Sequence, residues 1–388
     1  MIGGVALKRT LILGAGFGGL TVATELRRLL GDEHDILLID RREHFLAGLR
    51  KLWALFGLGT LEEGERSRET LTERGVPFLR RDVREIKPAR RRVVTDEGTF
   101  DGDYLVVALG AEPRPDLVPG LAEHAHDLYN RDAIPGLAEA LARFDGGRIA
   151  IVIAGGPYKC PPAPYECAML LDEHLRDRGL RERTEITVST FQPILLPNAG
   201  KEGSSWLGEQ LASRGIEFQT KHKVEKVEAG RVVFADGDPL EADLIIGVPP
   251  HRPPAVVKES GLTGEGAWVA VDQATLRTAH EGVFAIGDVT QIKLANGLPL
   301  PKAGLFAQLE GDHVAATIAA ECGVGAPPAD FDGRGYCFIE MGKAAATRVE
   351  GNFFARPEPE VRVLDVSETH AAEKRRFEAE RLERWFGR

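Results

Sequence analysis

The chain has 388 residues, 43% of them hydrophobic and 28% charged, which is long enough for two or three domains that each bury a core without a disulfide or metal staple. Its formal net charge of −10 argues against general nucleic-acid binding, which relies on concentrated Lys and Arg, and four cysteines are too few for a secreted disulfide framework. No run of about 18 uncharged apolar residues occurs and residues 1–9 lack a signal-peptide pattern, so a cytoplasmic protein is expected, with peripheral membrane contact left open.

The elements in chain order begin with a buried strand over 10–13, a glycine turn over 14–19, a helix over 20–30 with apolar periodicity, and a second strand over 36–40. This is a βαβ unit. The apolar stretch 46–61, interrupted by Arg50 and Lys51, reads as a core or interfacial helix. A strand is expected at 76–79, a hairpin around 91–100, and an apolar strand at 104–109 before Pro113, Pro115 and Pro119 mark a domain crossing. A second α/β pattern follows, with a strand at 148–154, a helix at 165–178 and a strand at 185–190, and it looks like a diverged copy of the first. A helix at 204–214, strands at 231–234 and 243–248, and prolines between 249 and 254 complete the middle part. A short strand at 283–286 leads to a helix from about 304 to 321, and the remainder mixes strands with a charged terminal helix over 369–386. The fold expected is α/β, with two Rossmann-like dinucleotide-binding domains and a C-terminal α+β domain. The first domain is discontinuous (1–115 and 272–322), the second covers 116–271, and the third 323–388.

Gly14-Ala15-Gly16-Phe17-Gly18-Gly19 matches G-x-G-x-x-G between a strand and a helix, the context that gives the pattern meaning. Gly14 permits the tight turn, Gly16 lets a pyrophosphate approach the backbone, and Gly19 allows close helix packing, while the helix N-terminus faces the phosphates. Asp40, at the end of the next strand, is placed to accept hydrogen bonds from a ribose. A dinucleotide is therefore expected, although this motif does not choose which one. The segment Gly282-Val283-Phe284-Ala285-Ile286-Gly287-Asp288 resembles the second FAD motif of the flavoproteins built from two dinucleotide-binding folds. Ala108-Leu109-Gly110-Ala111 is similar to a third element of that superfamily. The resemblance implies bound FAD, with Asp288 on the ribityl chain. It adds Phe17, Gly18, Arg41, Val83, Ala108, Gly110, Gly287 and Lys302 to the cofactor contacts. No cysteine lies near the first motif, so the FAD is expected to be noncovalent.

In the middle part the equivalent turn reads Gly155-Gly156-Pro157-Tyr158-Lys159-Cys160. Proline removes an amide donor and a cysteine side chain obstructs close packing, so a nicotinamide nucleotide is not expected to bind well or to reduce the flavin. The segment Cys160-Pro161-Pro162-Ala163-Pro164-Tyr165-Glu166 resembles that of flavocytochrome c sulfide dehydrogenases and sulfide:quinone oxidoreductases, and the likeness extends to Pro301-Lys302 and to a cysteine in the C-terminal part. It implies a redox-active pair beside the flavin, Cys160 and Cys337, with Glu166 as acid/base group. The substrate implied is sulfide or persulfide, and the acceptor a quinone or a c-type cytochrome. Cys167, seven residues after Cys160, is the rival partner, and Cys322 reads as a buried small hydrophobe. Glu166 equally suits the dipole of a helix start. No cysteine precedes Cys160, so polysulfide growth on a third sulfur is not expected. His124 and His126 read as surface residues, and no spacing suggests a metal site. Phe377, Leu382, Trp385 and Phe386 on the terminal helix suit a solvated face or a homodimer contact, with a membrane surface the weaker reading. A type II NADH:quinone oxidoreductase shares these FAD motifs, and an electron-carrier flavoprotein with structural cysteines is a further alternative.

Overall fold

The computed structural model describes residues 7–264, 266–342 and 344–387. Five parallel strands form the first sheet in the order Val283–Ala285, Tyr104–Val107, Arg9–Leu13, Asp35–Asp40 and Phe78–Arg80. Residues 11–13 and 105–107, in the strands adjoining the turn, are apolar and fully buried because both faces of a parallel sheet are covered. A second parallel sheet runs in the order His126–Asp127, Leu244–Val248, Gly147–Ile153, Thr184–Thr190 and Ile216–Gln219. Each sheet has a satellite of three antiparallel strands, Val83–Lys87 with Arg92–Thr95 and Gly98–Asp101 in one case, and Val224–Glu228 with Arg231–Phe234 and Leu240–Glu241 in the other. That repetition gives the internal duplication structural form. A third antiparallel sheet, Arg334–Glu340, Ala346–Asn352 and Glu360–Val363, precedes the C-terminal helix Glu368–Phe386. The architecture is thus α/β with two Rossmann-like sheets, followed by an α+β segment.

Two features differ from the sequence reading. Residues 46–61 do not form one helix: a strand at His44–Leu46 gives way to the short helix Arg50–Leu55 and then to Leu61–Gly64, capped by Thr60. Gly57 and Gly59, both at positive φ, break the run between them. The aromatic side of the C-terminal helix also faces inward rather than out. Trp385 is fully buried and Phe377, Leu382 and Phe386 are at most 9% exposed. The Phe17 ring meets that of Trp385 edge-on at 5.0 Å, and Phe45 does so at 5.4 Å. These residues are core, so they offer no face to a membrane or a second copy. Among the described residues no helix is long and apolar enough to cross a membrane.

The N-terminal turn fixes how the first strand meets its helix. Gly14 sits at φ +95, with its N–H donating to the Ile39 carbonyl at 2.8 Å, and a Cβ there would lie 2.3 Å from the Ala108 oxygen. At Gly19 a Cβ would lie 1.8 Å from the Gly14 oxygen, a backbone atom with no freedom to swing aside. Gly19→Ala is expected to cost about 3 kcal/mol, read as a lower urea midpoint of the FAD-free protein. Gly16→Ala, whose added carbon meets nothing within 4 Å, should leave that midpoint within about 0.5 kcal/mol while weakening FAD retention.

Candidate active site

The first question is whether the turn and its surroundings fit FAD. The helix Phe17–Leu30 starts at Gly16 with no side-chain cap and no acidic residue in its first turn, so its leading amides are available to an anion. Asp40 clamps the turn from outside, Oδ2 accepting from the Ala15 N–H at 2.7 Å and Oδ1 from the Arg42 N–H at 2.8 Å. Across the sheet, Asp288 Oδ1 is enclosed and has no hydrogen-bond partner within the protein, a state that calls for a donor from a bound group. Gly110, at φ +66, and Gly16 both have open space where a side chain would stand. These features fit a dinucleotide laid across the sheet from Gly16 to Asp288.

The remaining expected contacts are placed as follows. Gly18 lies against Ile286, and Ala108 follows the strand Tyr104–Val107, its N–H donating to Leu13 O at 2.8 Å. Gly287 donates its N–H to buried Glu310 Oε2 at 2.5 Å. Burial is the main reason Glu310 holds its proton up to about 8. Lys302 turns its ammonium onto the Asp288 and Thr290 carbonyls at 2.9 and 2.6 Å and over the Trp268 ring at 3.6 Å, which makes it a clamp on the second motif. Arg41 pairs with Glu112 at the surface, Val83 is buried in the satellite sheet, and the Phe17 ring belongs to the aromatic cluster under the C-terminal helix.

The second turn is built differently. In the first unit only residues 14–16 separate strand from helix; in the second, residues 154–162 do, and the helix Ala163–Asp177 starts beyond Cys160. Tyr158 is 5% exposed with its hydroxyl toward Gln192, and a Cβ on Gly156 would lie 2.7 Å from the Phe191 ring. Side chains occupy the approach that glycines keep open in the first copy. Cys160 itself is left-handed at φ +47, a costly conformation for a residue with a side chain. It is held there by its N–H donating to the Lys302 carbonyl at 2.6 Å, and by its own carbonyl accepting from the Ala163 N–H at 3.0 Å and the Tyr129 hydroxyl at 3.1 Å.

Cys337 lies in the strand Arg334–Glu340, whose last residue is hydrogen-bonded to Glu166 on the helix that follows Cys160. Behind both cysteines is a buried cluster. Lys374, on the C-terminal helix, donates to Glu166 Oε1 at 2.6 Å and to Glu340 Oε2 at 2.7 Å, and the Glu340 N–H donates to Glu166 Oε1 at 2.8 Å. The Trp53 indole N–H caps the Glu340 carboxylate at 2.9 and 3.0 Å. Burial raises Glu166 above the usual carboxylate range, with Lys374 opposing it. Burial by itself would lower Lys374, but the two carboxylates outweigh it and hold the ammonium charged. Burial raises Cys160 to about 12 and raises Cys337 as well. Glu166 is thus tied into an ion-paired cluster, which a helix-dipole role does not require.

All four cysteines are free thiols. Cys167 is fully buried in the core of its helix. Cys322, expected to be buried, is partly exposed at the end of the helix Gly304–Glu321, with its sulfur 3.8 Å from His34 Nδ1. Among the described residues no group of three or more His, Cys, Asp or Glu could hold a metal ion. Sequence reasoning missed Trp53, Glu340 and Lys374, and also Lys51, because none belongs to a motif; only Glu340, a single charge in the run Phe338-Ile339-Glu340-Met341, carried a local signal.

The family model described as pyridine nucleotide-disulphide oxidoreductase matches residues 8–302. A mitochondrial sulfide:quinone oxidoreductase of Dictyostelium discoideum is 28% identical over 301 residues, covering 73% of this chain and 66% of its own length. A type II NADH:quinone oxidoreductase of Staphylococcus haemolyticus is 27% identical over 80% of this chain and 82% of its own length. The crystal structure of sulfide:quinone oxidoreductase from Aquifex aeolicus shares the fold, with TM-score 0.88 over 98% of this chain and 91% of that one at 21% identity.

Lys374→Met removes the only ammonium the buried cluster is shown to contain, and should cost about 3–5 kcal/mol because two carboxyl groups remain enclosed. Glu166 already has a folded pKa above its unfolded value, so the folded state binds the extra proton. The loss should therefore be smallest in acid and grow as pH rises above the ordinary carboxylate range, which urea unfolding of both proteins at pH 5 and pH 8 would measure.

Proposed function

The chain belongs to the pyridine nucleotide-disulphide oxidoreductase family of FAD-binding flavoproteins, and we propose that it oxidises sulfide or a persulfide through Cys160 and Cys337, with a quinone or a c-type cytochrome as final acceptor. The observation that carries this reading is the second turn. A cysteine stands there in a restrained left-handed conformation, where a nicotinamide site would need open glycines, and the helix that follows it is hydrogen-bonded through Glu166 to the strand that carries a second cysteine.

With the two thiols joined as a disulfide, a hydrosulfide ion attacking one sulfur forms a new S–S bond as the old one breaks. One cysteine is left as a persulfide and the other as a thiolate. The FAD bound across Gly16 and Asp288 supplies a two-electron acceptor. Glu166 exchanges protons with the incoming sulfur, since burial keeps its proton affinity above that of an exposed carboxyl and Lys374 fixes its orientation. Tyr129, on the Cys160 carbonyl, and Lys302, whose carbonyl takes the Cys160 N–H, keep the thiol in place while its bonding changes. The quinone alternative draws support from the relatives named above, all three of which carry quinone in their names.

Anaerobic mixing of the FAD-loaded protein with sulfide is expected to bleach the flavin, and NADH is expected not to. Cys160→Ser and Cys337→Ser should each slow bleaching at least about a thousandfold, as for other groups that act as a unit. Cys167→Ser should stay within about twofold of wild type in rate. Bleaching by NADH but not by sulfide would move the protein to the NADH:quinone class, and full sulfide activity in Cys160→Ser would overturn the cysteine assignment.

A further inference from the structure

Ala15, in the middle of the N-terminal turn, is gripped at both of its backbone polar groups. Its N–H donates to Asp40 Oδ2 at 2.7 Å, and its carbonyl accepts from Arg68 Nε at 3.0 Å. Arg68 opens the helical segment Arg68–Arg74, directly after the strand Glu65–Ser67 that pairs with His44–Leu46, and only 5% of it is exposed. Its Nη1 donates to the Arg42 carbonyl at 3.0 Å and to the His44 carbonyl, and its Nη2 lies 3.9 Å from Asp40 Oδ2. The Phe45 ring, itself packed on Phe17 and Trp385, closes over the guanidinium at 5.9 Å. One buried side chain thus ties the turn to residues 42–44, beyond the next strand. In a dinucleotide-binding unit those are the places that hold pyrophosphate and ribose.

That contact has a direction. The peptide between Ala15 and Gly16 is trans, so its C=O and N–H point opposite ways in one plane. With the Ala15 oxygen drawn to Arg68, the Gly16 N–H is aimed away from the guanidinium. A Cβ on Gly16 would meet nothing within 4 Å, so the backbone there is open to an approaching group. A guanidinium whose other nitrogen is fixed to two further carbonyls is held against rotation, and its planar fork sets orientation as well as distance. The buried positive charge also offsets Asp40, whose carboxylate would otherwise oppose an anion at this turn. We infer that Arg68 is a positioning residue for the cofactor: it sets the peptide between Ala15 and Gly16 so that the Gly16 N–H faces the FAD pyrophosphate. This role concerns FAD alone and does not depend on the sulfide reading.

The test follows FAD in the loaded full-length protein by two readouts, its release into the ultrafiltrate on dilution and the phosphorus NMR resonances of the bound pyrophosphate. Arg68→Met is expected to release FAD at least about tenfold faster than wild type and to move at least one phosphorus resonance, while the visible absorption bands of the flavin keep their wild-type positions. Arg68→Lys keeps the charge but not the fork, so it should still release FAD at least about threefold faster and move the same resonance. Where Arg68→Met does not fold or load, Arg68→Lys decides the question. Release within about twofold of wild type in both variants overturns the inference. So does faster release with phosphorus resonances that superimpose on wild type, because lost packing alone would loosen the cofactor without changing what its phosphates face. Wild-type behaviour of Arg68→Lys in both readouts assigns the effect to charge and overturns the positioning role, as do flavin bands that shift together with the phosphorus resonances. No outcome here depends on whether sulfide bleaches the flavin, so failure leaves the sulfide reading as it stands. Bleaching by NADH alone would remove the sulfide reading and leave the role of Arg68 untouched.

Discussion

One buried ammonium holds the two cysteine-bearing segments together. Lys374 comes from the last helix and lies between Glu166, on the helix that follows Cys160, and Glu340, on the strand that carries Cys337. Enclosing three ionisable groups is unfavourable unless each finds partners, and here the Glu340 amide and the Trp53 indole supply what the lysine does not. The geometry that brings the two cysteine-bearing segments together therefore depends on the C-terminal helix being seated. That helix is seated by its buried aromatic side, with Trp385 against Phe17 at the mouth of the first turn and Arg50 paired to Glu378 beside it. The cofactor turn and the buried charge cluster lean on the same helix from opposite ends.

Much of this was legible in the sequence, and the exceptions have physical reasons. The strands flanking the turn, the helices near 17–30, 163–177 and 304–321, and the glycine turn itself show in the pattern because periodicity and backbone constraint are local. The stretch 46–61 misled because apolar content outweighed Gly57 and Gly59, whose positive φ ends any helix there. The terminal helix misled in another way: Phe377 and Trp385 are set among charges, and only the tertiary fold shows that Arg50, Gln308 and Asp312 take up those charges while the rings go inward. Glu166 was visible as a residue six places after a cysteine. Its partners were not, since Glu340 and Lys374 lie far along the chain and belong to no recurring spacing.

The duplicated turn is built in two different ways on the same scaffold. In the first, strand and helix are joined by three residues, the first and third of which, Gly14 and Gly16, leave the backbone bare, and the leading amides of the helix are left without side-chain caps. Such an end suits a phosphate. In the second, six further residues push the helix start away, and Tyr158 and Phe191 fill the space above the turn. The added loop has to be fixed by something other than a ligand, and the Lys302 carbonyl and Tyr129 hydroxyl do so by gripping Cys160 on both sides of its peptide unit. Lys302 is at the same time the clamp on Asp288 and Thr290, so the cysteine loop is anchored to the segment that carries the second cofactor motif. Where the first turn depends on glycine for a close approach, the second depends on hydrogen bonds for the placement of a cysteine, and the two copies meet at one lysine.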